Sequence, residues 1–518
     1  MNKENLPQLI ATPRFLAFIL LAPLLLAGVC QLVKAGQSLF FHGDNTFPEG
    51  AVVQTAVWSR DSGRVYPSLQ SSPYTPAPYG PLFYVSLSAV ARSTSAGFDS
   101  LLIFGRVVIL ISFLLLPMVS YRWARKRGLT TAFALSAAAL VLAQIDFLDW
   151  NVTVRPDLLA LLFSVVAFYL LTTEDASWRR MIVAGLLCGM AASFKQSFIA
   201  LPFVAMVWLL WTRRLRNALW FAAGGATLGV VVVGWLAFHH EPFLEEVLLA
   251  RYSPVSFVAA VQLLKADLLH CPWQMILLAL GFLGALCFPK ESLRGFLFLY
   301  LAFAWLAGFY TAMAPGANVN AFLEAWVVSA MLAPFAIYRL AESWYRVPIP
   351  AKAALVLLWL AAAAVSLEAW RVPMTVRPTA TYGELAQIVR GHRVLSDFPY
   401  VSAHGAQPEL LDPSVNHYLE LARRWSPQPV LEEVKRQDFD FVIVGLSGGQ
   451  PRQWRGLTLF SGSILREIAS DYRLACASDR FAVYVPGSRA TDSHSDSAAT
   501  ERRLQNLGCK VSGQVLAH

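Results

Sequence analysis

Apolar runs of about membrane-spanning length recur along most of this sequence and constrain its fold more than any motif does. They fall at residues 14–33, 82–97, 101–121, 130–147, 157–172, 181–194, 197–211, 218–238, 273–288, 295–313, 321–338 and 351–369. A helix needs about 20 such residues to cross the hydrocarbon core. With 56% hydrophobic and only 14% charged residues in 518, the chain also has too few charges to cover a soluble globule of its size. The predicted fold class is an all-α polytopic membrane protein of about 11–12 membrane segments.

The net charge of +9 would point to nucleic acid in a soluble domain, but here the Lys and Arg residues sit in short clusters between the apolar runs. That pattern marks topology and excludes a nucleic-acid partner. The clusters are Arg122–Arg127, Arg179–Arg180, Arg213–Arg216, Lys290–Arg294 and Arg339–Arg346. If they are cytoplasmic, the ends carrying Asp149–Asp157, Lys195, 239–272 and 315–320 face the other side, as does the polar material beyond residue 370. Twelve crossings would return the C-terminus to the side of the N-terminus, so one run is expected not to cross. The run 82–97, which carries Arg92 and several Ser and Thr residues, is the predicted re-entrant or interfacial helix. The alternative is a true crossing, with the Arg122–Arg127 cluster breaking the rule.

The first run is long for a signal peptide and has further spans behind it, so it reads as a transmembrane helix with a cytoplasmic N-terminus. A first outer loop follows at 34–81. After residue 370 the apolar runs shorten, strands are predicted at 393–396 and 439–444, and helical spacing appears at 414–424 and 429–436. The expected organisation is a membrane domain at 1–370, a small extracytoplasmic α/β domain at 371–487 and a disordered polar tail at 488–518. The six cysteines show neither zinc spacing nor a disulfide framework. Only Cys476 and Cys509 share a polar region, where a disulfide could join them.

Carboxylates at a membrane rim cost desolvation energy and are candidates for function by default. Asp44 and Glu49 stand in the first outer loop, within His42-Gly43-Asp44-Asn45-Thr46-Phe47-Pro48-Glu49-Gly50. Asp146, Asp149 and Asp157 surround another outer helix end. Two acids from separate loops suit a base that takes a hydroxyl proton and a partner that orients it. The bland alternatives are a solvated loop residue for Asp44 and a helix cap for Asp157. Lys195 interrupts an apolar stretch and either snorkels or holds a phosphate leaving group, with Arg155 and Arg251 as second candidates. Asn320 and Glu324, four apart, share a helix face behind Asn318, where the alternative is an N-cap beside a poorly placed acid. Tyr79 lies in the Pro- and Tyr-rich approach Tyr74–Leu82, which is kept out of regular helix, and completes the expected substrate contacts.

The order of these features resembles the GT-C superfamily of polyprenyl-phosphate-sugar-dependent glycosyltransferases. They run Glu49-Gly50, Pro78-Tyr79-Gly80-Pro81-Leu82, Gly105-Arg106, Arg155-Pro156-Asp157, a Gly185-x-x-x-Gly189-Met190 helix ending at Lys195, and Asn318-x-Asn320-x-x-x-Glu324. More narrowly, the sequence is similar to bacterial proteins grouped with family 39, relatives of protein mannosyltransferases and the aminoarabinose transferase. The likeness covers about residues 10–370, and the small C-terminal domain is similar to the exported domain such proteins often carry. It implies a first-loop catalytic acid at Glu49 or Asp44, with Glu49 the better match. The family's acids are adjacent or nearly so, whereas these two are five positions apart. The resemblance further places the second-loop acid at Asp157 and Lys195 near the lipid phosphate.

The implied reaction moves a sugar, with inversion, from a polyprenyl-phosphate donor to a glycan, lipid or protein acceptor at the outer face of the inner (plasma) membrane. No metal is required, although nearby carboxylates could hold Mg²⁺ or Mn²⁺. A polytopic transporter or lipid flippase is the main competing expectation. Transporters commonly carry internal repeats, and none is found here. A non-catalytic assembly scaffold is the third.

Overall fold

The computed structural model describes residues 13–46, 49–69, 71–144, 147–173, 177–239, 242–243, 255–314, 317–343, 348, 357, 359, 364, 379–407, 411–454 and 457–487. Asp146, Arg251, Cys509, most of the run 351–369 and the tail 488–518 lie outside them. The chain divides into two compact units. One comprises residues 1–39, 106–235 and 256–375, and the other 40–105, 236–255 and 376–518.

The first unit is helical, and its helices fall where the apolar runs predict, except for Phe257–His270, which lies between runs in the stretch 239–272. Among the described residues, Phe98–Lys126, Leu215–Phe238, Glu291–Ala312 and Val319–Glu342 are each long and apolar enough to cross a membrane. The pair Phe257–Leu269 and Trp273–Leu286, bent by 103°, makes a fifth if it counts as one broken span. Thr131–Leu142, Asp157–Leu171 and Ala200–Trp211 are shorter apolar helices. The chain is thus a multi-pass membrane protein. Helix Leu323–Glu342 lies in the core of the first unit, with every side chain from Leu323 to Ile337 buried.

Helix Trp273–Leu286 lies backbone to backbone on helix Leu323–Glu342, because a Cβ at Gly284 would stand 2.0 Å from the Leu332 carbonyl oxygen. Gly185 and Gly224 make the same approach for helices Trp178–Phe194 and Leu215–Phe238, where added Cβ atoms would meet the Phe221 and Ile182 carbonyls at 2.0 and 2.1 Å. Small residues at such positions let helix backbones close up in the absence of a hydrophobic drive.

The second unit contains a sheet in the strand order Val394–Ser396, Phe441–Ser447, Phe481–Pro486, Tyr472–Ala477. The first pair is parallel, the others are antiparallel, and Gln450–Pro451 adds to the second strand. The second strand is buried from Phe441 to Leu446, as its continuous apolar sequence requires. Helix Gln428–Lys435 turns Val430, Leu431 and Val434 into the same core. Cys30, Cys188, Cys271 and Cys287 are free, whereas Cys476 is disulfide-bonded. Cys509, the other cysteine of the polar region, is among the residues not described.

Part of the stretch 34–81, expected as a first outer loop, is helical. Helix Pro13–Leu39 continues through residues 34–39, and Glu49–Ser62 is a helix of 14 residues. The loop's tail does stay irregular up to Pro81, where helix Pro81–Thr94 begins. At 14 residues that helix is about 21 Å long, short of a hydrocarbon core of about 30 Å. Tyr74 in the tail belongs to the sheet's own hydrophobic core. Its ring lies 6.2 Å from that of Trp425, and its carbonyl accepts a 2.9 Å hydrogen bond from Asn416 Nδ2.

Candidate functional site

In the first unit, polar groups gather around Asp157. Pro156, with φ −71°, opens helix Asp157–Leu171, so the carboxylate sits at the positive end of the helix dipole. Lys195 follows the last turn of helix Trp178–Phe194 in an extended conformation (φ −144°, ψ 113°), which takes its side chain off the helix. Its ammonium donates to Asp157 Oδ1, and Asn320 Nδ2 donates to the same oxygen at 2.7 Å. Arg155 Nε stands 3.5 Å from Oδ2, and its guanidinium lies 4.4 Å over the Trp150 ring. All but the half-buried Arg155 are buried.

This geometry replaces both bland readings of the pair. The Asp157 carboxylate is engaged across helices instead of capping its own. Lys195 turns inward to an ion pair instead of outward to the interface. Among the described residues, this one carboxylate faces two cations.

One turn beyond Asn320, Glu324 Oε1 accepts hydrogen bonds from Ser164 Oγ and Tyr300 Oη, each at 2.8 Å. Asn320 and Glu324 therefore both reach helix Asp157–Leu171, at its first residue and two turns below. Asn318 is more local, its Oδ1 accepting from the Val319 N–H at 2.8 Å. Sequence reasoning missed Ser164 and Tyr300. It also missed a buried amide network in which Gln31 Nε2 donates to the Gln144 carbonyl at 2.6 Å and Asn151 Nδ2 to Gln31 Oε1 at 3.2 Å. Polar side chains inside apolar runs were the available signal for all of these.

In the second unit, the first-loop acids have different settings. Glu49 has no exposed surface, and its Oε2 reaches back to accept the Asn45 N–H at 2.8 Å. Asp44 is half-buried. Its Oδ1 accepts the Gly50 N–H at 2.6 Å and its Oδ2 the Tyr400 N–H at 3.0 Å. Asp44 is thus an oriented group and not a solvated loop residue. Tyr79 is buried, its ring stacked 6.3 Å from that of Tyr84 and its carbonyl accepting from the Tyr66 hydroxyl at 2.9 Å. Among the described residues, no three of His, Cys, Asp and Glu come together as a metal ion would need.

Residues 40–210, about a third of the chain, match the MptA_B family, described as "Alpha-(1->6)-mannopyranosyltransferase, N-terminal domain". Among solved structures, the fold is similar to that of ArnT from Cupriavidus metallidurans in the apo state. The TM-score is 0.59 at 14% identity, over 91% of this chain and 99% of that one. The same enzyme bound to undecaprenyl phosphate gives a TM-score of 0.56 at 14% identity and the same coverage. The archaeal oligosaccharyltransferase AglB from Archaeoglobus fulgidus, in complex with an inhibitory peptide and a dolichol-phosphate, gives 0.50 at 13% identity, over 91% and 75% of the two chains. Among curated proteins, none matches the chain in sequence.

Proposed function

We propose, from the premise that this chain is a membrane glycosyltransferase of the GT-C superfamily, that it transfers a hexose from a polyprenyl-phosphate donor to a hydroxyl of a glycan, lipid or protein. The observation that carries this reading is the Asp157 cluster, where the Lys195 and Arg155 cations meet at one buried carboxylate on a GT-C-like fold. Lys195 and Arg155 are assigned to the donor phosphate, with Asp157 and Asn320 fixing the Lys195 ammonium in place. The lipid phosphates bound to the neighbouring structures support that choice of donor. The family matched at residues 40–210 makes mannose the first sugar to try.

A first-loop carboxylate takes the acceptor hydroxyl proton as the oxygen attacks the anomeric carbon from the face opposite the phosphate. The bond from that carbon to the phosphate oxygen breaks, and polyprenyl phosphate leaves with the electron pair. We assign the base to Asp44 in preference to Glu49, because Asp44 keeps exposed surface and two amides aim its carboxylate. Glu49 then fixes the turn that carries Asp44. The reading needs no cofactor. The charge clusters support an inner-membrane topology with the sheet-bearing unit outside, and a disulfide at Cys476 suits an oxidising compartment.

The test uses full-length protein in proteoliposomes, with undecaprenyl-phosphate mannose and membrane glycan extract. Mannose transfer with release of undecaprenyl phosphate is expected. Asp44→Asn should lower turnover by about 10² to 10⁴ while donor binding survives. Wild-type turnover in both Asp44→Asn and Glu49→Gln would remove the catalytic role of this loop. Donor translocation without transfer would favour a flippase.

A further inference from the structure

The Asp44 carboxylate is held by a residue 356 positions away, Tyr400, whose main-chain N–H donates to Oδ2 at 3.0 Å. Gly50 makes this approach possible, since a Cβ there would lie 2.6 Å from Asp44 Oδ1 and 2.7 Å from the Tyr400 nitrogen. Tyr400 is itself fixed by His404. Nδ1 of His404 lies 2.8 Å from the Tyr400 carbonyl oxygen, and Nε2 lies 3.1 Å from Asp99 Oδ2. A carbonyl oxygen and a carboxylate both accept, so the ring satisfies the two only by donating from both nitrogens. The Phe98 ring packs edge-on to both Tyr400 and His404, at 5.8 and 5.5 Å.

We propose that His404 is a positioning residue for Asp44: doubly protonated and clamped between Asp99 and the Tyr400 carbonyl, it keeps the Tyr400 N–H on the carboxylate, and its neutral form releases that hold. This rests on the reading of Asp44 as the base. Deprotonation costs His404 one of its two donated bonds, the turn carrying Tyr400 slackens, and Asp44 loses an amide that aims it. Asp99 faces the ring directly and Arg390 faces it from further off, while the Tyr400 hydroxyl meets His42 Nδ1 at 3.3 Å. Burial pulls the His404 imidazolium down, but the Asp99 carboxylate and the Tyr400 carbonyl outweigh it and hold the pKa above the ordinary histidine value. The hold is therefore complete below the ordinary histidine range and is lost as pH rises through the raised value.

The experiment is amide hydrogen exchange on the full-length protein in lipid nanodiscs from pH 5.5 to 9, beside mannose transfer from undecaprenyl-phosphate mannose. After correction for intrinsic rates, exchange around Tyr400 and Gly50 should accelerate about tenfold at alkaline pH, and kcat should fall with KM unchanged. Asp99→Asn should move both transitions down by about one pH unit. His404→Gln should remove them, and Gly50→Ala should open the segment at every pH. Slow exchange in strand Phe441–Ser447 checks that each variant is folded. Identical pH profiles in wild type, Asp99→Asn and His404→Gln would overturn the proposal and leave the transferase reading standing. An exchange transition that follows these variants in a protein that transfers no mannose supports the positioning role and counts against the transferase reading alone.

Discussion

Lys195 and Asp157 hold one another in a buried setting, so removing either leaves a charge that the interior tolerates poorly. Lys195→Met should lower stability by about 3–5 kcal/mol, read as a fall in the thermal midpoint in detergent. Adding Asp157→Leu should restore most of that loss without restoring donor binding. Glu324 has a milder dependence, since Tyr300→Phe removes one of the hydroxyls bonded to Oε1 and should cost about 1–3 kcal/mol in the same assay. In the sheet-bearing unit, burial raises Asp397 to about 6, against the pull of Arg452 and the Gly445 amide. An acid raised in the folded state stabilises it below the unfolded pKa of about 3.9, and that contribution, at most about 3 kcal/mol, is lost as pH climbs through 6. Asp397→Asn should flatten this dependence in hydrogen exchange of strand Phe441–Ser447. Charged residues of the candidate site were legible because a charge beside an apolar run stands out. Ser164 was not, because a serine in a helix can satisfy its hydroxyl on its own backbone, as Ser112 and Ser120 do.

Among the elements, glycines decide how closely helices approach. Gly284→Ala must push the Leu332 carbonyl away from 2.0 Å and should destabilise by about 1–3 kcal/mol or more. Gly229→Ala, on helix Leu215–Phe238 with nothing within 4 Å, should be neutral or gain up to about 1 kcal/mol from helix propensity. Equal thermal midpoints for the two variants would contradict this packing. Strands 393–396 and 439–444 were readable as short apolar runs and helices 414–424 and 429–436 by their 3.6 spacing, whereas strands Tyr472–Ala477 and Phe481–Pro486 and helix Gly462–Asp471 were not predicted. Nor was helix Glu49–Ser62. Glu49 through Ala56 are all buried, Gln54 and Thr55 included, so no polar face marks the helix period.

For the whole molecule, the basic clusters predict that tags at residues 215 and 425 report opposite sides of the membrane. The same side for both, by protease protection in intact vesicles, would reverse the assignment of the sheet-bearing unit. Membrane class and helix order were legible because lipid demands long apolar helices. The make-up of the second unit was not, because nothing local in Tyr74-Thr75-Pro76 announces a partner at Trp425.

Synthesis runs in one direction, and Tyr74 and the Asn416 that binds it stand 342 residues apart, so at 5–20 residues per second the ribosome needs roughly 20–70 s to join them. During that interval the early segment waits with an aromatic ring and a carbonyl whose partners, Trp425 and Asn416, are still to be made. A chaperone on the side where the loop emerges has its window there. A chain stalled before residue 411 should expose the loop to protease, and supplying the missing strands in trans should protect it again.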